Sequence, residues 1–266
     1  MKHCHISIMC NELEFIEHKL PFLYKYFDQI IFVDYDIVNK RNSIDGTIEY
    51  IEQFDDKYNK IKLIKDFNPN TVTNYNGVSF IEKQKMFAEA SKYVKDNIDL
   101  IWATDLDEFF DVELIQNVEN LYNNDSQLIS VDLPHKIFVY NQYNYLNKDD
   151  FYIAPRITKH IKNKVYGHCN FDKYGKTIKF NKFYLYHFAF IGLKRCSFKL
   201  LSCYKANIEY VKKWIEYYRK SLLENKKYIK ISHPNPNLNL YTENYNGNFP
   251  SYLDIDNLCK RLNNCI

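Results

Sequence analysis

Two aspartates, Asp105 and Asp107, carry the strongest chemical signal in the sequence, because they directly follow the apolar run Leu100–Ala103. Residues i and i+2 of an extended segment point to the same side, so both carboxylates can reach one site at the end of a strand. Two hard oxygen ligands suit Mg²⁺ or Mn²⁺. Such an ion keeps positions open for a diphosphate, whose charge it can neutralise as a nucleotide departs. The alternative is a solvated acidic turn, which the preceding strand and the following Glu108 disfavour.

The elements that would position this pair follow an alternating pattern of strands and helices. The apolar runs are His5–Cys10, Gln29–Val33, Ile61–Ile64 and Leu100–Ala103. Helical patterns lie between them at residues 15–23, at Thr47–Phe54 and after the capping box Ser79–Glu82. Such alternation predicts an α/β fold, with a mixed, mostly parallel Rossmann-like sheet flanked by helices. Ligands of these sheets bind outside the carboxyl ends of the strands, where the polar residues named below also fall.

The second half of the chain is predicted to be strand-rich and then helical. Its strand candidates are Leu128–Val131, Lys136–Tyr140, Lys176–Phe180 and Phe183–Phe190. A seven-residue apolar period over residues 201–230 predicts an amphipathic helix, and the segment after Ile231 is expected to be an extended wrap. We therefore expect a catalytic domain at residues 1–200, with residues 201–266 packed on it as a C-terminal helix and tail.

Composition restricts the classes of protein to which the chain can belong. The 266 residues carry a net charge of only +3, which argues against a nucleic-acid-binding protein. The sequence has no uncharged apolar stretch long enough to span a membrane. Its seven cysteines include no Cys-x-x-Cys pair, and no signal peptide precedes them. We expect a cytoplasmic protein.

Several segments resemble the family 2 glycosyltransferases of the GT-A fold, most closely the subgroup of lipopolysaccharide-core glucosyltransferase-like proteins. The similar segments are Cys10-Asn11-Glu12, Phe32-Val33-Asp34, Asp45-Gly46-Thr47, Gln84-Lys85, Ile101–Glu108, Pro155–Ile157, Tyr166–His168 and Tyr184–Phe188. The sequence departs from the family at Lys85, which replaces an arginine, and at Cys169, which stands where the subgroup tends to have glutamate. The loop Tyr35–Ser43 is also longer than usual.

The resemblance implies transfer of a sugar from a nucleotide diphosphate, such as a UDP-sugar, to a hydroxyl of a glycan, a lipid-linked sugar or a protein. It implies an inverting reaction with Mn²⁺ or Mg²⁺ as cofactor. The residues implied in donor binding are Asn11, Glu12, Asp34, Lys85 and Asp105, and those implied in metal binding are Asp105, Asp107 and His187. Asp34 would contact the nucleobase, and Lys85 a phosphate or the base edge.

The general base of the reaction has three candidates. An inverting transfer needs a carboxylate or histidine within hydrogen-bond reach of the acceptor hydroxyl. The residues available are Asp172, His168 and Asp132, of which Asp172 ranks first. Lys194 and Arg195 either neutralise leaving phosphates or are solvated surface charges.

Other functions remain open at this point. Lysines recur every seven residues along 201–230, so this helix could contact an anionic membrane peripherally or bind a lipid-linked acceptor without catalysis. The same period could mediate a homodimer, although a helix packed on the domain is the simpler interpretation. A carbohydrate-binding module without catalysis is a further possibility. A metal-dependent phosphatase also places Asp-x-Asp after a strand, but Phe109 stands where that class has threonine or valine.

Overall fold

The computed structural model describes residues 1–36, 39–65, 67–68, 81–139, 141–146, 153–162, 164, 166, 175–192, 194–197, 208–224, 230–232 and 239–264. The chain forms two compact units, and each is assembled from separate stretches of sequence. The first comprises Met1–Leu106, Asp111–Pro134 and Ile153–Phe183. The second comprises Asp107–Phe110, His135–Tyr152 and Tyr184–Ile266. The predicted domain boundary after residue 200 stays a prediction. It does not coincide with any boundary between these two units.

The strands are β1 His3–Met9, β2 Gln29–Asp34, β3 Ile61–Ile64, β4 Leu100–Ala103, β5 Glu108–Phe109, β6 Leu128–Val139, β7 Asn141–Leu146, β8 Ile153–Lys159, β9 Lys176–Lys179, β10 Leu185–Phe190, β11 Lys230–Ser232 and β12 Asn239–Asn244. The helices are α1 Leu13–Tyr26, α2 Thr47–Gln53, α3 Ile81–Ser91, α4 Val112–Asn124, α5 Ile208–Glu224 and α6 Ile255–Asn264. The prediction of strands and helices in the first half is confirmed closely where the structure describes the chain, whereas Ser79 and Phe80 of the predicted capping box lie outside the described residues.

The first unit is built on a parallel sheet in the order β3-β2-β1-β4. Beyond β4 the sheet continues with β8 and the first residues of β6, both antiparallel to their neighbours, and β9 then runs parallel to β6. Strands that alternate with helices in this order form a mixed, mostly parallel sheet of the Rossmann-like kind. The predicted fold class is therefore confirmed.

The central strands of the first unit are buried over their whole length. Their apolar side chains, with Ile6, Ile31 and Ile101 among them, pack against Phe87 and Ala90 of α3. Parallel strands that are covered on both faces appear in a sequence as continuous apolar runs, which is why they could be located from the sequence.

The second unit contains a mixed sheet in the order β5-β10-β6-β7-β12-β11, to which β6 contributes its last residues. Aromatic rings form much of its core. The ring of Phe138 lies 5.0 Å from that of Phe188 and 5.2 Å from that of Phe249, which in turn lies 4.9 Å from Tyr245. Offset and edge-on ring pairs of this kind stabilise a core beyond the area they bury.

The prediction of an extended tail after Ile231 is wrong for the described residues. The tail contains β12 and the ten-residue helix α6, whose apolar side chains at Leu258 and Leu262 are buried. Their four-residue spacing is the helical signal that could have located α6. The helix lies close to Gly192, where an added Cβ would meet the carbonyl oxygen of Leu262 at 3.0 Å, and the φ of +87° also favours glycine.

Helix α5 is present as predicted, but its buried face differs from the main apolar row of the seven-residue period. The buried side chains are Val211, Trp214 and Tyr218, whereas Ile208, a member of that row, is 55% exposed. The Tyr218 hydroxyl accepts a hydrogen bond from the Gly192 amide and donates one to Asn263. None of the described helices is both long and apolar enough to cross a membrane.

Trp214→Ala should lower the free energy of unfolding by about 3–5 kcal/mol, because a fully packed indole is lost from the core. Ile208→Ala, the matched change on the exposed side of the same helix, should cost less than about 0.5 kcal/mol. Urea denaturation of both variants measures the difference. Equal costs would show that the assigned buried face of α5 is wrong.

Candidate functional site

At the carboxyl ends of β1 and β2, Asn11 and Asp34 are joined through Ser43. The Asn11 amide donates to the Ser43 hydroxyl at 2.7 Å, and the Asn11 side-chain oxygen accepts from the Ile44 amide at 2.9 Å. Ser43 in turn donates its amide to Asp34 Oδ2 at 2.7 Å and its hydroxyl to Asp34 Oδ1. Two of the predicted donor-binding residues thus hold the segment at Ser43 in place.

Asp34 is fully buried, at 0% exposed, and both carboxylate oxygens accept hydrogen bonds from Ser43. Burial raises the pKa of Asp34 above its ordinary value, although the two hydrogen bonds from Ser43 act in the opposite direction. A nucleobase could reach this carboxylate only if Ser43 moved. The contact between Asp34 and a nucleobase therefore stays a prediction, and it requires a movement of Ser43.

Glu12 and the Asp45-Gly46-Thr47 motif link the starts of two helices. The Glu12 amide donates to the Thr47 hydroxyl at 2.9 Å, and the Leu13 amide donates to Asp45 Oδ2 at 3.0 Å. Asp45 Oδ1 accepts from both the amide and the hydroxyl of Thr47. Gly46 has a φ of +99°, and an added Cβ would lie 3.2 Å from a Leu13 methyl carbon. The motif therefore satisfies amides at the start of α1 and shapes the start of α2.

The backbone of Asp105 is fixed by a buried polar network that the sequence did not reveal. The ammonium of Lys19, on α1, donates to the Thr104 hydroxyl at 3.0 Å and to the Asp105 carbonyl. His5 Nε2 lies 2.7 Å from the same hydroxyl, and the Ser7 hydroxyl donates to the Thr104 carbonyl. Burial, with Lys19 adding to it, lowers the pKa of His5 well below its ordinary value, so His5 is neutral.

The carboxylate of Asp105 lies beside Lys83, which was not among the predicted site residues. Lys83 Nζ is 3.4 Å from Asp105 Oδ2, and both side chains are mostly buried. Lys85, two residues further along α3, is partly buried. An ammonium next to a carboxylate at the end of a strand can both balance the acid and meet a phosphate.

Asp107 belongs to the second unit, where it pairs with Arg195. The guanidinium nitrogen Nη2 of Arg195 donates to Asp107 Oδ2 at 2.7 Å, and Nη1 donates to the carbonyls of Phe188 and Ala189. The Phe188 amide donates to the Asp107 carbonyl at 2.9 Å. The structure therefore assigns Arg195 to a nearly buried ion pair, and the interpretation as a solvated surface charge is wrong.

His187 is brought next to Asp107, as predicted, and also next to two residues that were not predicted as metal ligands. Its Nε2 lies 3.3 Å from Asp107 Oδ2, and its Nδ1 lies 3.9 Å from Glu108 Oε1. His135 Nδ1 lies 3.6 Å from the same Glu108 oxygen. Glu108, His135 and His187 each offer one ligand atom within 4.8 Å of the others. This arrangement could hold a metal ion.

The candidate general bases Asp172 and His168 lie outside the described residues, so their roles stay predictions. Asp132 is described and lies partly buried on β6. Lys194 is exposed.

No family model matches the chain, and no curated protein sequence matches it. Three of the solved structures that match do so at low similarity. A chain of TarS 1–349 from S. aureus is 15% identical with a TM-score of 0.39, over 60% of this chain and 47% of that one. A 4-diphosphocytidyl-2C-methyl-D-erythritol synthase from Anaerococcus prevotii is 15% identical with a TM-score of 0.39, over 68% and 88%. A mannose-1-phosphate geranyltransferase from Thermus thermophilus is 7% identical with a TM-score of 0.30, over 60% and 50%.

The chain spans about half the length of the first and third of these structures. The function is therefore argued from the residues of the site.

The buried Asp34 carboxylate should make stability depend on pH in a defined direction. An acid whose pKa is raised in the folded state binds a proton there more readily than in the unfolded chain, so its contribution to stability falls as pH rises above its ordinary pKa. The free energy of unfolding of the wild type, relative to Asp34→Asn, should therefore decline as the pH rises from about 4 toward neutral.

Urea denaturation of both proteins across this range measures the decline. Ser43→Ala should make the decline larger, because the hydroxyl hydrogen bond that opposes the rise in the pKa of Asp34 is lost while the amide hydrogen bond is kept. A difference between wild type and Asp34→Asn that stays constant with pH would contradict the assignment.

Proposed function

We propose that the chain is a glycosyltransferase that moves a sugar from a nucleotide diphosphate, in the first instance UDP, to a hydroxyl acceptor. One observation carries the proposal. The carboxyl ends of β1, β2 and β4, neighbours in a Rossmann-like sheet, present Asn11, Asp34 and Asp105 at one edge. Nucleotides bind sheets of this order at that edge, near the point where the strand order reverses. Between β1 and β4 the order reverses.

Within the first unit, the donor would be held by the groups that border Asp105. Lys83 is placed to pair with a phosphate, because its ammonium lies against the carboxylate of Asp105, whose side chain is 17% exposed. Lys19 binds the Thr104 hydroxyl and the Asp105 carbonyl, so the backbone that carries the Asp105 carboxylate is fixed. Asn11 and Asp34 would act by shaping the segment at Ser43.

A divalent metal, Mn²⁺ or Mg²⁺ in the prediction from sequence, would be held in the second unit by His187 and the carboxylate of Glu108. These side chains fit a metal ion, since the ring nitrogens of His187 lie within 4 Å of carboxylate oxygens. A divalent metal can act as a Lewis acid toward a phosphate oxygen. Arg195 supplies a fixed positive charge beside the carboxylate of Asp107.

The acceptor side of the proposal rests on the predicted bases, Asp172 first and His168 second. A glycan or a lipid-linked sugar is the proposed acceptor, and inversion is the proposed outcome. A peripheral contact with an anionic membrane would use the exposed cations of α5, which include Lys212, Lys213 and Arg219. We propose a cytoplasmic location, and the same helix is the proposed surface of a homodimer.

The proposal predicts that UDP or a UDP-sugar raises the unfolding temperature of the chain. A ligand present at 100 times its Kd stabilises a folded protein by about 2.7 kcal/mol. Asp105→Asn should weaken this effect, since the exposed carboxylate is lost while its shape and backbone contacts are kept. Differential scanning fluorimetry with a panel of nucleotide sugars, followed by calorimetry, gives the measurement. If no nucleotide sugar stabilised the wild type, the proposal would be wrong.

Two lysines of α3 can be compared directly as candidate phosphate ligands. Lys83→Met should weaken binding of the nucleotide about tenfold or more, because a charge-assisted hydrogen bond is worth about 1.5–3 kcal/mol. Lys85→Met is the matched variant, two residues away on the same helix, and should have the smaller effect. Calorimetry of both variants decides between them, and a larger loss in Lys85→Met would restore the assignment made from the sequence.

A further inference from the structure

A cluster of one acid and two histidines in the second unit is built by strand register. β5 runs antiparallel to β10 with Glu108 opposite His187, and β10 runs parallel to β6 with Leu185 opposite His135. His135 is therefore the diagonal neighbour of His187 on the same face. The central strand carries His187, and each strand beside it contributes one of the other two side chains.

The distances in the cluster match a metal site that is close to its bound geometry. With bonds of roughly 2.1 Å, the ligand atoms of a tetrahedral site lie roughly 3.4 Å apart. The Glu108 oxygen lies 3.6 Å from His135 Nδ1 and 3.9 Å from His187 Nδ1, so small shifts would close the site. The side chains of Glu108 and His135 are fully buried, and that of His187 is 12% exposed.

The types of ligand atom in the cluster favour some metal ions over others. Imidazole nitrogens are ligands of Zn²⁺, Fe²⁺, Co²⁺ and similar ions, whereas Mg²⁺ prefers oxygen ligands and retains its water molecules. Two histidines with one glutamate therefore favour a borderline transition metal, which the pair Asp105 and Asp107 alone would not. Among the described residues, Nδ1 of His187, the nitrogen that faces Glu108, makes no hydrogen bond, which fits a ligand position.

Asp107 and Arg195 are placed to orient the cluster. His187 presents Nδ1 toward Glu108 and Nε2 toward Asp107, at 3.3 Å from Oδ2. A histidine that binds a metal through one nitrogen commonly donates its other N–H to a carboxylate, which fixes the ring. Asp107 is held in turn by the guanidinium of Arg195 at 2.7 Å.

We infer that Glu108, His135 and His187 bind a divalent transition metal of the Zn²⁺, Co²⁺, Fe²⁺ and Mn²⁺ class in preference to Mg²⁺, and that Asp107 orients His187 instead of ligating the ion. As a step in sugar transfer this assignment rests on the proposed function. Metal binding itself is measured without a nucleotide, so either proposal can fail while the other holds.

The test is a titration of the chelator-treated full chain with Zn²⁺, Co²⁺, Mn²⁺ and Mg²⁺, each alone, by competition with a metal indicator. We expect one equivalent of Co²⁺ and Zn²⁺ to bind, with a visible Co²⁺ absorption spectrum typical of nitrogen ligands, and much weaker binding of Mg²⁺. Absence of binding, or Mg²⁺ binding as tight as that of Co²⁺, would overturn the inference.

Variants distinguish a ligand from a positioning residue. Glu108→Gln and His135→Gln should each weaken Co²⁺ binding by at least about 100-fold, whereas Asp107→Asn should weaken it only about 10-fold to 100-fold and keep nitrogen ligation in the spectrum. His160→Gln, a histidine of the first unit, is the control and should bind as the wild type does.

Circular dichroism of the metal-free variants identifies any that fail to fold. For those positions the Co²⁺ spectrum of the wild type, which should show nitrogen ligands, is the deciding measurement. The inference is wrong if folded Glu108→Gln and His135→Gln retain wild-type affinity while Asp107→Asn abolishes binding, because Asp107 would then be the ligand.

Discussion

Two largely buried cations hold residues 104–107, the segment that follows β4. The candidate sites of both units depend on this segment. In the first unit the ammonium of Lys19 binds the hydroxyl of Thr104 and the carbonyl of Asp105. In the second unit the guanidinium of Arg195 binds the carboxylate of Asp107. Burying an ion costs several kcal/mol unless its hydrogen bonds are satisfied, so each cation constrains its partner strongly. The acids are therefore held in place without any ligand.

The acids beside the strand ends divide into two kinds by their surroundings. Asp34 is fully buried and satisfied by Ser43, so its effect is on the shape of the loop. Asp105 retains some exposure beside Lys83, and only an acid of this kind can meet a donor without rearrangement. The Asp-x-Asp motif contributes one carboxylate to each unit, since the chain passes from the first to the second between Leu106 and Asp107.

The sequence was sufficient for most of the first unit and for little of the second. Buried parallel strands leave continuous apolar runs, which located β2 and β4 most directly. The partnership of Glu108, His135 and His187 depends on the register of three strands far apart in sequence, and no local pattern encodes that register. Lys19 was missed because a charged residue on an amphipathic helix is normally exposed. Strand β6 was predicted in two pieces because Pro134 interrupts its pattern, although the strand continues through it.

The second unit consists of three separate stretches of sequence, which affects the order in which its strands can pair during synthesis. Glu108 leaves the ribosome about 80 residues before His187, the residue that faces it across β5 and β10. The parallel strands β1 to β4 of the first unit all lie before residue 104, so they emerge before β10 and can pair earlier. The carboxylates of Asp107 and Glu108 can meet His187 only after β10 has emerged from the ribosome. A nascent chain stalled just before residue 187 would contain the whole sequence of the first unit and would lack one member of the cluster Glu108, His135 and His187.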